Sequence, residues 1–152
     1  MVKTKFVSLA GIIPPTIENS YDGVIIWVGL TNEDSEVLSN PIASDNFAWG
    51  LVHAVQESCE GKATTAIVVW PREKLSKNSN SYAYLVRDIS VGVIQSSQYD
   101  LGIRGIRLNL ILCYEDQIKD LNRTLRYFHG KDGGFVAGCT FDLRNNSEEV
   151  VA

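Results

Sequence analysis

The chain has 152 residues, of which 45% are hydrophobic and 21% are charged, and its formal net charge is −4. These values are typical of one globular domain, and the negative charge argues against a nucleic-acid or anionic-membrane surface. The apolar patch near the N-terminus ends at Pro14 and Pro15. It is too short to span a bilayer, and no signal-peptide cleavage site follows it. Three widely spaced cysteines, Cys59, Cys113 and Cys139, favour a reducing compartment, and we expect a cytoplasmic protein.

Apolar runs predict the strands. Residues 5–13 predict a first strand that ends at the two prolines, and VIIWVG at 24–29 predicts a second one. Uninterrupted apolar runs of this length are typical of strands that are covered on both faces. By the same pattern, further strands are predicted at 63–70, 106–112 and 135–143.

Apolar residues at alternating spacings of three and four predict three helices between these strands. The first follows a polar loop at 30–42, the second is the longest, and the third covers 116–129. The predicted N-terminal caps are Ser44 or Asp45 for the first helix and Ser79 or Asn80 for the second. The predicted C-terminal ends of the three helices are Gly61, Gly102 and Gly130.

Strands that alternate with helices predict a parallel sheet. We therefore expect an α/β fold, a three-layer Rossmann-like domain over residues 1–143. It should have a mostly parallel five-stranded sheet with helices on both faces. A polar tail, 144–152, follows it.

Several segments carry a family resemblance. They are YDGVIIWVG at 21–29, SDNFAWGLVHAVQES at 44–58, AIVVW at 66–70, RGIRLNLIL at 104–112 and DLNRTLRYFHGKDGGFVAGCTFDL at 120–143. In this order the segments resemble the fourth strand, the next helix, the fifth and sixth strands, and the last helix and strand of a short-chain dehydrogenase/reductase. The resemblance implies a truncated form of that fold.

The resemblance does not extend to the family's chemistry. Its glycine-rich turn for the cofactor pyrophosphate has no counterpart after the first strand. Its catalytic tyrosine and lysine fall on Ala83 and Arg87, or one residue earlier on Tyr82 and Val86. We therefore expect a pseudoenzyme without a cofactor. The alternative is a divergent NAD(P)-dependent oxidoreductase whose partial active site uses Tyr82 or Tyr84 and Arg87.

The long helix retains small residues that permit another helix to approach closely. In the family, the corresponding helix forms a two-fold contact, so the resemblance implies association. We expect a homodimer, or a heteromer with a catalytic relative of the short-chain dehydrogenase/reductase type that the chain supports. The predicted interface residues are Ala83, Ser90, Gly92, Val93, Ser97 and Phe135.

A small-ligand binding module is a third hypothesis. Its pocket would be lined by Trp27, Trp49, Trp70 and Cys113. Cys113 follows a central strand, where open α/β sheets bind ligands, but no histidine is placed by sequence to act as its base. A buried structural thiol is the simpler interpretation of Cys113, and no metal site is expected.

Overall fold

The computed structural model describes residues 5–8, 23–30, 41–57, 63–70, 77–130 and 136–144. Within these ranges the predicted α/β fold with a parallel sheet is confirmed. None of the described helices is both long enough and apolar enough to cross a membrane.

The strands lie side by side in chain order, and each runs parallel to its neighbours. In the centre of the sheet Ile26 is paired with Ala66, which is paired in turn with Leu110. All three are fully buried, because both faces of the sheet are covered. The strands are β1 Lys5–Ser8, β2 Val24–Gly29, β3 Ala63–Trp70, β4 Arg107–Tyr114 and β5 Thr140–Asp142.

The last strand is shorter than the predicted one at 135–143. Gly138 has a φ of +68°, a left-handed conformation that interrupts an extended chain. The Gly138 N–H donates to the carbonyl oxygen of Leu108 at 2.7 Å. The regular ladder therefore begins only at Thr140.

The helices are α1 Pro41–Glu57, α2 Lys77–Ile103 and α3 Ile118–His129. The predicted caps were wrong for the first two helices. Ser44 and Asp45 lie inside α1, which begins at the proline because its fixed φ and absent N–H are tolerated in a first helical turn. Ser79 and Asn80 likewise lie inside α2.

The predicted end of α1 at Gly61 lies outside the described residues, which extend to Glu57 in this helix. The end of α2 differs from the prediction. α2 continues through Gly102 to Ile103. The turn after it contains Gly105, whose φ of +74° favours glycine.

Two hydrophobic clusters lie on the two faces of the sheet. Successive side chains of a strand point to opposite faces, so Ile26 and Val28 join one cluster whereas Ile25 and Trp27 join the other. The first cluster includes Leu51, Ala54 and Val55 of α1 and Val86, Ile94 and Leu101 of α2. The second includes Leu121, Leu125 and Phe128 of α3.

Candidate functional site

An open groove of about 490 Å³ lies between α1 and α2. We call it the outer groove. It is lined by Ala48, Val52 and Gln56 of α1 and by Asp88, Ile89, Gly92, Val93, Ser96, Ser97 and Asp100 of α2.

The amphipathic pattern of α2 explains why these residues line a groove. Val86, Ser90 and Ile94, spaced by four residues, are fully buried against the sheet. Gly92 and Ser96 lie on another side of the helix and are exposed. A Cβ atom added to Gly92 would have no neighbour within 4 Å, so the groove has room at this point for a side chain from another helix.

Large apolar side chains are exposed on the same two helices. The exposed fraction is 64% for Trp49 of α1, and 38% for Leu85, 80% for Tyr99 and 83% for Ile103 of α2. Single exposed apolar residues are common on protein surfaces; these four lie on the two helices that line the outer groove.

The predicted interface residues fall into three groups. Gly92, Val93 and Ser97 line the outer groove. Ser90 does not, because it belongs to the stripe of α2 that packs on the sheet and is fully buried within the chain. The side chain of Ala83, and Phe135 as a whole, lie outside the described part of the structure.

Arg87, the basic candidate for catalysis, forms an ion pair with its neighbour. Its Nη2 and Nε atoms donate to Oδ1 of Asp88 at 3.0 and 3.1 Å. The guanidinium therefore sits beside a carboxylate at the edge of the outer groove. The side chains of Tyr82 and Tyr84, the other candidates, are not among those described.

The structure brings together only part of the predicted aromatic pocket. Trp27 and Cys113 share the buried cluster beneath α3. Trp49 lies on α1, which packs on the opposite face of the sheet, and its ring is 6.3 Å from that of His53. The side chain of Trp70 is outside the described residues. Trp27 and Trp49 therefore cannot line one pocket in this conformation.

Burial disfavours the thiolate form of Cys113. Removal from water raises the pKa of Cys113 from 9.0 to about 12, with Arg144 lowering the pKa and Asp142 and Asp116 raising it. A protonated thiol is a poor nucleophile and a poor metal ligand. Among the described residues, no group of three His, Cys, Asp or Glu side chains could hold a metal ion.

The prediction missed several residues of the outer groove, namely Ala48, Val52, Ile89, Asp88 and Asp100. The signal for Ile89, with Asp88 and Asp100 flanking it, is a second stripe on the long helix. Residues at 85, 89, 92, 96, 99 and 103 are apolar or small, and their spacing differs from that of the buried stripe at 86, 90 and 94.

Comparison with known proteins does not support the family resemblance. No protein-family model and no curated protein matches the chain. Among solved structures, the chain is similar to the structure of BdcA (YjgI) from E. coli, with 11% identity and a TM-score of 0.46 over 93% of this chain and 97% of that chain. A likeness at this level carries no argument about family or function.

The assignment to the short-chain dehydrogenases/reductases was therefore wrong. The segments on which it rested are buried parallel strands and the helices that cover them. Parallel α/β domains in general require such apolar runs and amphipathic stretches, so the shared patterns are not specific to one family.

Proposed function

We propose that the chain is a cytoplasmic, non-catalytic domain that acts through association, with a second copy or with another protein. Its fold would be three-layered and Rossmann-like, with a five-stranded sheet. The contact surface is the outer groove. The observation that carries this proposal is the combination, on α1 and α2, of an open groove with exposed apolar side chains that the chain's own core leaves uncovered.

The shape of the groove suits a helix better than a small molecule. Its lining includes small residues such as Ala48, Gly92 and Ser96, which permit two helix backbones to approach closely. It is open along its length, whereas small-molecule sites enclose most of their ligand. Trp49 beside it supplies the type of side chain that dominates the binding energy of interfaces.

The chemistry of the sequence-based candidates also favours a non-catalytic role. A reductase of the kind considered above uses its basic residue to lower the pKa of a neighbouring tyrosine. Arg87 forms an ion pair with Asp88 at 3.0 Å, which offsets part of its positive charge. Burial keeps the Cys113 thiol protonated. A protonated thiol is unsuited to nucleophilic work.

The non-catalytic part of the proposal is tested by titrating NADH and NADPH while tryptophan fluorescence is recorded. We expect no saturable change with either dinucleotide. Saturable binding of one of them would contradict the proposal and support the oxidoreductase alternative.

The association part is tested by the solution mass of three proteins measured by light scattering. They are the wild type, Gly92→Arg in the groove and Asn46→Arg, an exposed control on the other side of α1. A dimer that Gly92→Arg dissociates and Asn46→Arg preserves would support self-association through the groove. A dimer that survives Gly92→Arg would contradict the choice of surface. A monomeric wild type would eliminate the second copy and leave another protein as the partner.

A further inference from the structure

The exposed side of α2 carries a heptad pattern. Leu85, Ile89, Gly92, Ser96, Tyr99 and Ile103 are spaced by four and three residues in strict alternation. This is the spacing of the seam along which two helices pack as a coiled coil. Ile89, Gly92 and Ser96 line the outer groove, and the other three are exposed large apolar residues. The seam is therefore on the surface.

Residues that flank such a seam select the partner helix by charge. The charged residues that flank it here are Asp88 and Asp100, both exposed and both lining the groove. No lysine or arginine is among the lining residues. Arg87 offsets part of the charge of Asp88, whereas no ion pair of Asp100 is found among the described residues. The lining of the groove thus combines apolar and small residues with two aspartates and no basic residue.

A second copy of the chain would complement these edges poorly. The flanking positions of its α2 hold Val86, Asp88, Val93, Gln95, Asp100 and Gly102, none of which is basic. Its α1 contains no lysine or arginine at all. Self-pairing would bury the apolar seam, but neither the flanking positions nor α1 of the second copy would place a lysine or arginine beside Asp88 or Asp100.

We infer that the outer groove binds a basic amphipathic helix supplied by another protein. The helix lies along α2 with apolar residues on the seam and lysine or arginine residues beside Asp88 and Asp100. Recognition of an amphipathic helix by an apolar groove is a recurring mode of protein association. The inference rests on the proposed function and specifies the partner's chemistry.

The test uses two synthetic helical peptides of about four heptads each, with leucine at the seam positions. One carries lysine at every flanking position and the other carries glutamate, so neither pairs with itself. Binding to the full chain is measured by fluorescence anisotropy. We expect saturable binding of the lysine peptide, at least about tenfold tighter than that of the glutamate peptide. Its affinity should fall as salt is added.

Charge removal from the protein supplies the matched comparison. Asp100→Asn should weaken the lysine peptide about two- to fivefold, and Asp88→Asn with Asp100→Asn should weaken it further. The control is Glu115→Gln with Asp120→Asn. It removes the same charge from exposed residues just before and within the first turn of α3, which covers the opposite face of the sheet, and it should leave the affinity unchanged. Thermal unfolding verifies that each variant is folded.

The inference is overturned if the two peptides bind alike, if neither binds, or if the control pair weakens binding as much as the groove pair. Its failure is distinguishable from that of the proposed function. In one outcome the wild type is a dimer, Gly92→Arg dissociates it and neither peptide binds. This outcome supports the proposed function and identifies the partner as a second copy. A monomer that binds neither peptide contradicts both.

Discussion

The Oγ1 atom of Thr65 lies 2.9 Å from the Nε2 atom of His129. This hydrogen bond joins the last residue of α3 to the first half of β3. Thr65 is 1% exposed, so the hydroxyl end of the bond is shielded from water. It fixes α3 on one face of the sheet, while α1 and α2 cover the other face and carry the outer groove.

Replacement of Thr65 tests the energetic contribution of that bond. Thr65→Val removes the hydroxyl with little change of shape, and we expect a loss of about 1–2 kcal/mol in the free energy of unfolding. Thr64→Val is the matched control. The Thr64 hydroxyl is also buried but has no hydrogen-bond partner among the described residues, so valine there should be neutral or stabilising. Equal destabilisation of the two variants in urea unfolding would contradict the assigned role.

Glycine-to-alanine substitutions should have opposite effects at two positions. A Cβ atom on Gly23 would collide with the carbonyl oxygen of Ala63 and come within 2.8 Å of the His129 ring. Gly23→Ala should therefore destabilise the fold by about 1–3 kcal/mol. Gly92→Ala meets no neighbour and should stabilise α2 by up to about 1 kcal/mol. Thermal unfolding measures the stability of both variants. Stabilisation by Gly23→Ala would contradict the close approach of Ala63 and His129 to Gly23.

Ser90 provides a test of which side of α2 packs on the sheet. Its Oγ atom is buried with no hydrogen-bond partner among the described residues. Ser90→Ala should stabilise the fold by about 1–2 kcal/mol, because it removes an unpaired polar group from the core. Ser96→Ala, on the exposed side, should change stability by less than about 0.5 kcal/mol. Ser90→Ala should have the same solution mass as the wild type. A lower mass would show that Ser90 takes part in the interface.

The central strands can be predicted from the sequence, whereas the position of Ser90 cannot be predicted from its size. The central strands were predicted because both faces of a parallel sheet are buried, which leaves an unbroken apolar run such as VIIWVG. The small size of Ser90 predicts a helix-helix contact, but size alone does not distinguish the buried side of α2 from the exposed side. The four-residue spacing from Val86 to Ser90 to Ile94 assigns it to the buried stripe instead.

The outer groove itself was less predictable. It depends on how α1 and α2 pack beside each other, and that arrangement is fixed by contacts between residues far apart in the sequence. The exposure of Trp49 and the burial of Trp27 likewise follow from their elements' positions on opposite faces of the sheet. Composition alone does not distinguish one tryptophan from the other.

The buried Cys113 thiol predicts a loss of stability at alkaline pH. Below pH 9.0 the thiol is neutral in the folded and unfolded chains. Between pH 9.0 and about 12 the unfolded chain releases this proton while the folded chain keeps it. Unfolding is then favoured by up to about 1.4 kcal/mol per pH unit. Cys113→Ala should lower stability at neutral pH through the cavity it leaves, but should unfold with a shallower alkaline slope. Identical slopes in urea unfolding would contradict the burial.

The most direct test of association through the outer groove is the ¹⁹F NMR spectrum of the protein labelled with 5-fluorotryptophan. The three tryptophans give three resonances, and Trp49→Phe and Trp27→Phe identify two of them. Spectra are recorded as the protein concentration is raised, and again as the lysine peptide is added. Covering of the groove should shift the Trp49 resonance in at least one series and leave that of buried Trp27 in place. A Trp49 resonance that is unchanged in both series would contradict the account.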